Sequence, residues 1–187
     1  MKEKVLLKTP RLLIYPIDVR HLRFLLRLWN DPVIMRYAGF SKNWDYSDIK
    51  NWYEKYKNNQ KKYGSTDVHF VLKRKNGPLF GESGLGRLRK SWSCPGYKSS
   101  KDKLTLMADV KLEKNFWNQG YGTEAMKAIV QYVFTQTDAD VLLVPPHKEN
   151  IPAIRVYQKA GFKKTKGIWY RYHIIYKITK ELYRSIL

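Results

Sequence analysis

The chain has a single cysteine, Cys94, in 187 residues. One thiol can form neither an intrachain disulfide nor a multi-cysteine metal knuckle, and no metal is expected. Acidic residues are also scarce: 16 Asp and Glu stand against 36 Lys and Arg, a formal net charge of +20. A field of that sign draws anionic partners such as phosphate groups, nucleic acid or acidic protein surfaces. The basic residues are spread along the whole chain, however, so charge alone selects none of these. No apolar run approaches the ~18 residues of a membrane span. Met1-Lys2-Glu3-Lys4 leads directly into Thr9-Pro10-Arg11-Leu12-Leu13-Ile14 with no signal-type apolar region, so the cytoplasm is the expected location and no membrane contact is expected. Internal repeats, low-complexity tracts and Ser/Pro-rich linkers are missing too. That leaves one domain, 1–187, long enough to bury a core. A hydrophobic content of 43% and six Trp favour a packed globule over a disordered chain.

Periodicity supplies the elements. Leu12 to Ile17 reads as a first strand. Asp18 can cap a helix with Leu22, Leu25, Leu26 and Trp29 on one face, ended by Asp31-Pro32. A second helix starts near Ser47, aligns Ile49, Trp52, Tyr53 and Tyr56, and stops at Gly64. Val68 to Leu72 and Leu79 to Leu88 form a hairpin around Asn76-Gly77. Leu104 to Leu112 alternates as a strand, Ala125 to Phe134 is helical, and Val141 to Val144 is a short buried strand. Asn150 can cap a helix reaching Ala160, with Pro152 tolerated in its first turn. Ile168, Tyr170, Tyr172, Ile174, Tyr176 and Ile178 alternate in a final strand. The order β-α-α-β-β-β-α-β-α-β-β makes the fold class α+β, with a mixed sheet.

The most informative stretch is Trp117-Asn118-Gln119-Gly120-Tyr121-Gly122-Thr123-Glu124-Ala125, at a strand-to-helix junction. Glycines there let backbone N–H groups gather around an anion at the positive end of the helix. The Walker pattern fails for want of Gly-Lys-Ser/Thr, and the dinucleotide fingerprint fails for want of a third glycine. Gly84-Leu85-Gly86 is a decoy with no helix after it. A second block, Asn150-Ile-Pro-Ala-Ile-Arg-Val-Tyr157-Gln-Lys-Ala-Gly161-Phe162, also runs from a strand end through a helix to a glycine.

Together the two blocks resemble the GNAT superfamily of N-acetyltransferases, over roughly residues 10 to 179. Thr9-Pro-Arg-Leu-Leu-Ile, Trp29-Asn-Asp-Pro-Val-Ile-Met-Arg-Tyr37 and Phe116 to Ala125 look like its branch of ribosomal-protein N-terminal acetyltransferases. Trp117 departs from the superfamily pattern, standing where the first Gln or Arg is usual. The resemblance implies a GNAT fold, a central, mostly antiparallel twisted sheet of about seven strands with four main helices. It also implies acetyl-CoA as cofactor. Val110 and Leu112 would pair their backbone with the pantetheine arm. Asn118, Gln119, Gly120, Tyr121, Gly122 and Thr123 would give N–H groups to the pyrophosphate, and Asn150 would bond the pantetheine. Tyr157 would be the general acid that protonates the departing thiolate, a fitting donor since a phenol has a pKa of ~10. Glu82 is the first candidate for general base, with His147 and Asp109 as others.

The expected acceptor is a primary amine, foremost a protein or peptide N-terminus. The alternative is a small-molecule amine, since Ala153 to Phe162 also looks like aminoglycoside and polyamine acetyltransferases. The connection Arg87 to Lys103 carries six basic residues and one acidic. It would repel a polycation and attract an acidic or ribosome-associated partner. A remoter alternative is a non-catalytic RNA-binding module, suggested by the basic and aromatic residues of Lys50 to Lys57. The resemblance allows a homodimer.

Overall fold

The computed structural model describes residues 5–38, 43–88, 103–169 and 172–185. Short strands β1 (Leu7–Lys8) and β2 (Leu12–Pro16) open the chain. The Asp18 carboxylate then accepts the Arg20 N–H, while His21 Nδ1 accepts the Asp18 N–H at 3.0 Å. This reciprocal cap starts a 3-10 turn that continues as α1 (Leu22–Trp29). Asp31-Pro32 ends α1 and also starts a further short helix, α2 (Pro32–Met35), because proline's missing N–H costs nothing at a first helical position. Asp45 caps α3 (Tyr46–Tyr63), which stops at Gly64. Strands β3 (Val68–Arg74) and β4 (Leu79–Arg87) form the expected hairpin. There follow β5 (Thr105–Ala108), β6 (Lys111–Leu112), α4 (Tyr121–Gln136), β7 (Val141–Val144) and α5 (Ile151–Lys159). Strands β8 (Lys163–Trp169) and β9 (His173–Thr179) and helix α6 (Lys180–Ser185) complete the chain.

The strands join in one sheet of order β1-β2-β3-β4-β5-β7-β9-β8, with β6 pairing β4. All neighbours are antiparallel except β5 and β7. Nine strands form among the described residues; the two-residue strands β1 and β6 account for the excess over the expected seven or so. Period-two alternation divides β3 between two cores: Phe70 and Leu72 pack with α4 and α5, and Val71 packs with α1 and α3. The sheet is therefore the middle of three layers.

Two sequence expectations change. The final alternating run is shared between two antiparallel strands, β8 and β9, with Ile168 opposite Ile174 and Trp169 opposite His173; Tyr170 lies outside the described residues. The run Leu104 to Leu112 divides at Asp109 and Val110 into β5 and β6. Register across the division is kept: Leu85 pairs with Ala108 and Glu82 with Lys111. Between these pairs, side chains replace part of the backbone ladder. Gly84 N–H donates to the Asp109 carboxylate at 3.0 Å, and the Ser83 hydroxyl donates to the Asp109 carbonyl at 2.6 Å.

The division coincides with a parting of strands. Thr105, Leu106 and Met107 pair with Val141, Leu142 and Leu143 on β7. Farther along, β6 is paired on its β4 side only, among the described residues. A gap therefore opens between β6 and the end of β7, flanked by the start of α4 and by α5.

Candidate active site

The turn entering α4 lies at the foot of this gap. Trp117 Nε1–H donates to the Leu112 carbonyl at 2.8 Å, and the Gln119 amide donates to the Asn115 carbonyl at 2.7 Å. Both side chains thus shape the turn. Asn118 and Gly120 are left-handed, with φ of 58° and 81°, a conformation that costs other residues roughly 1–2 kcal/mol. Helix geometry leaves the first N–H groups of α4, from Tyr121, Gly122 and Thr123, without intrahelical acceptors, and no side chain caps them. The two glycines have different duties. A Cβ on Gly122 would lie 3.3 Å from Val156 Cγ2 and 3.5 Å from Leu112 Cδ1, so this position is kept small for α5 and the strand to approach. Of the two glycines, only Gly120 has a positive φ.

The gap's other groups come from the ends of strands. Val110 and Leu112 stand on its β6 edge. Asn150 caps α5, its Oδ1 accepting the Ala153 N–H at 3.2 Å. Tyr157 is buried on α5 at 4% exposure, beside Phe162. Burial pushes its phenol well above the ordinary tyrosine range, and the Asp109 charge adds to this. Lys111 and a backbone hydrogen bond with Val110 act in the opposite direction. The phenol therefore stays protonated at any physiological pH, next to the point where the strand divides.

The opposite face of the same strand carries a charge cluster. Register puts Lys111 directly across from Glu82 and His69 diagonally from it. Lys111 Nζ donates to Glu82 Oε1 at 2.8 Å and to Asp109 Oδ2 at 2.6 Å. Trp29 Nε1–H donates to Glu82 at 3.1 Å, and His69 Nδ1 stands 3.6 Å from its other oxygen. Glu82 is 1% exposed. Burial alone would raise its carboxyl, but the Lys111 ammonium and His69 outweigh this and hold it well below the usual carboxylate range. Rings surround the cluster: His69 lies edge-on to Trp52 and Tyr56, and Trp29 to Trp44 and Trp52.

The base candidates are thus placed as follows. Glu82 and Asp109 share one ammonium. His147, in the loop before α5, is apart from them, ringed by Tyr37, Tyr172 and His173. Its Nδ1 accepts the Glu149 N–H at 3.2 Å. Sequence reasoning missed Lys111, His69 and Trp29; the signal that finds them is cross-strand register, which follows only once β3, β4 and β6 are aligned. The basic connection between Arg87 and Lys103 lies largely outside the described residues. The aromatics of Lys50 to Lys57 turn inward, with only Trp52 partly exposed. Tyr53 and Tyr56 are buried and Trp52 packs against the same core, which removes the stacking surface that an RNA-binding reading needs.

Residues 11–163 match the family model described as an acetyltransferase (GNAT) domain. The chain belongs to the GNAT acetyltransferase family. This GNAT enzyme is 20% identical over 160 residues to the uncharacterized N-acetyltransferase p20 of Bacillus licheniformis, covering 84% of this chain and 82% of that protein. Among solved structures, it is similar to the spermidine N-acetyltransferase of Vibrio cholerae in complex with CoA and spermine. The TM-score there is 0.71 at 17% identity, with 94% of this chain and 99% of the other covered. It is also similar to the aminoglycoside acetyltransferase AAC(6')-Ib in complex with coenzyme A, with a TM-score of 0.74 at 17% identity over 93% and 98% of the two chains. Among the described residues, no group of three or more His, Cys, Asp or Glu could hold a metal ion, and no helix is long and apolar enough to cross a membrane.

The buried Glu82 of the GNAT sheet gives a pH test. Its folded-state carboxyl lies below the ordinary 4.5. Its ionisation therefore stabilises the fold fully above that value, and the contribution is lost as pH falls through the lowered one. Glu82→Gln is expected to cost on the order of 3 kcal/mol at pH 7, as for other broken buried pairs. Urea denaturation between pH 7 and pH 3 should show the difference from wild type shrinking with acidity. A difference that stays constant would show that Glu82 is not charged in the fold.

Proposed function

We propose that the protein transfers acetyl from acetyl-CoA to the α-amino group at the N-terminus of a protein or peptide. In this reading the pyrophosphate sits on the turn from Asn118 to Thr123. The pantetheine arm lies in the gap, where Val110 and Leu112 offer it strand-like backbone pairing and Asn150 a side-chain amide. The thioester then lies by Val110. A neutral amine attacking the carbonyl carbon would displace the thiolate, Tyr157 would protonate the departing sulfur, and the proton shed by the nitrogen would pass to water, from which the Tyr157 phenol is restored. The solved relatives with CoA support the cofactor reading, because the same fold holds CoA in them.

The acceptor class rests on one observation: Lys111 already pairs with both carboxylates of the site, which leaves them one net negative charge between them. Polyamines and aminoglycosides carry several charges, and carboxylates free to meet them are their natural complement. Here an internal ammonium takes that place. The same bonds leave Glu82 a poor proton acceptor, so we assign it a positioning role and not that of general base. An α-amine suits such a site because its pKa is ~7.7–8.0, against ~10.4 for an alkylamine, and a good share is uncharged near neutrality without a strong base. The surrounding rings would receive the first side chain of a peptide. An acidic or ribosome-associated acceptor protein fits the net charge of +20.

Two measurements test this. The first is CoA release with a panel of free-amine peptides, spermidine and kanamycin. Peptides should lead in kcat/KM by ~10-fold or more, in keeping with the cost of unpaired charge; a polycation in first place would contradict the acceptor assignment. The second is Tyr157→Phe, which should bind acetyl-CoA as wild type does while kcat drops by ~10–100-fold. Unchanged turnover would remove Tyr157 from the proton path.

A further inference from the structure

Thr9-Pro10-Arg11 stands outside the gap, at the join of β1 and β2, yet its side chains converge on the turn that enters α4. Arg11 Nη1 donates to the Gln119 carbonyl at 2.9 Å. Arg11 Nε donates to Glu124 Oε2 at 2.6 Å, and the Arg11 backbone N–H donates to Glu124 Oε1 at 2.9 Å. The Thr9 hydroxyl donates to the same Oε1 at 2.5 Å. The guanidinium lies over the Tyr121 ring, 4.3 Å from its centroid. Its Nη2 is 3.2 Å from where a Cβ on Gly120 would stand.

We propose that Arg11 is a positioning residue for the cofactor pyrophosphate, orienting the Gln119–Gly120 peptide and cancelling the charge of Glu124. The inference rests on the functional reading above. In a trans peptide the carbonyl and the N–H point in opposite directions. Holding the Gln119 oxygen on Arg11 therefore turns the Gly120 N–H away from it. Gly120 is left-handed and free of a Cβ, so without the brace this peptide can rotate and present its oxygen to the anion. Glu124, in the first turn of α4, would by itself repel a pyrophosphate bound at that helix end. Burial would raise its carboxyl, but the bonds from Thr9 and Arg11 prevail and keep it lowered and ionised, with its charge matched by the guanidinium. Only a planar fork serves both acceptors at once; a lysine has one point of charge.

S-acetylpantetheine carries the same arm and thioester as acetyl-CoA without the pyrophosphate. In Arg11→Lys, the Kd for acetyl-CoA should rise ~10-fold or more, as expected when a bidentate guanidinium contact is replaced by a single ammonium. The KM for S-acetylpantetheine should not change. In Arg11→Met, adding Glu124→Gln should recover part of the lost acetyl-CoA affinity, because the uncompensated carboxylate is removed. Equal weakening of both donors would mean a general disturbance of the fold and would overturn the proposal, as would an unchanged Kd in Arg11→Lys. Wild-type protein that ignores acetyl-CoA would overturn the functional reading and the role of Arg11 together. Wild type that binds, alongside variants that bind equally, would overturn the role of Arg11 alone.

Discussion

The site depends on one substitution in a hydrogen-bond ladder. At Asp109, a carboxylate takes the Gly84 N–H that a strand carbonyl would ordinarily accept, and the Ser83 hydroxyl takes the Asp109 carbonyl. Register is kept on the β4 side, so no side chain changes face, but pairing with β7 ends at Met107. A continuous sheet would bury every backbone group of this strand against a neighbour. The parting leaves an edge inside the domain, and the turn to α4 and the buried Tyr157 both face it. In the proposed reading, the cofactor supplies the missing neighbour.

Charge is handled by pairing within the fold, although the chain is strongly basic. Lys111 is held between Glu82 and Asp109, and Arg11 is matched to Glu124. The Lys111–Glu82 and Arg11–Glu124 pairs join elements far apart in sequence, and each sits beside one of the two positions assigned to substrates. Breaking the Lys111–Glu82 pair is costly because its carboxylate is buried and would lose its partner. The arrangement therefore argues for fixed electrostatics at the site, with Lys111 leaving one net negative charge where an acceptor amine would arrive. The net charge of +20 plays no part in that local balance.

Much of the fold was legible in the chain because local chemistry and tertiary packing agree. Helix α3 starts at Tyr46, one residue from the expected Ser47, Asn150 caps α5, and Val141 to Val144 forms β7 with the predicted limits. The turn is read from its glycines at a strand-to-helix junction, whereas Tyr157 is singled out by the family resemblance and its role remains a proposal. Alternation could not reveal the division at Asp109, since β5 and β6 keep the same register and the hydrophobic pattern passes through it undisturbed. Nor could it distinguish a single last strand from β8 and β9, because the sequence alternation runs on in phase from one to the other. Glu82 was visible as a carboxylate on a strand. That it is buried and bound to Lys111 is a matter of cross-strand pairing, which no single segment encodes. Arg11 was quoted for resemblance only, and its contacts span more than a hundred residues of sequence, as with Glu124.

The central claim is that the parted edge of β6 is where the cofactor's arm adds itself to the sheet. Amide hydrogen exchange with and without acetyl-CoA tests it most directly. The account predicts new protection at Val110 to Leu112 and at Gly120 to Thr123, with β5 unchanged because Thr105 to Met107 are already paired. Protection confined to the α4 turn, with exchange along 110–112 unaltered by saturating acetyl-CoA, would contradict it.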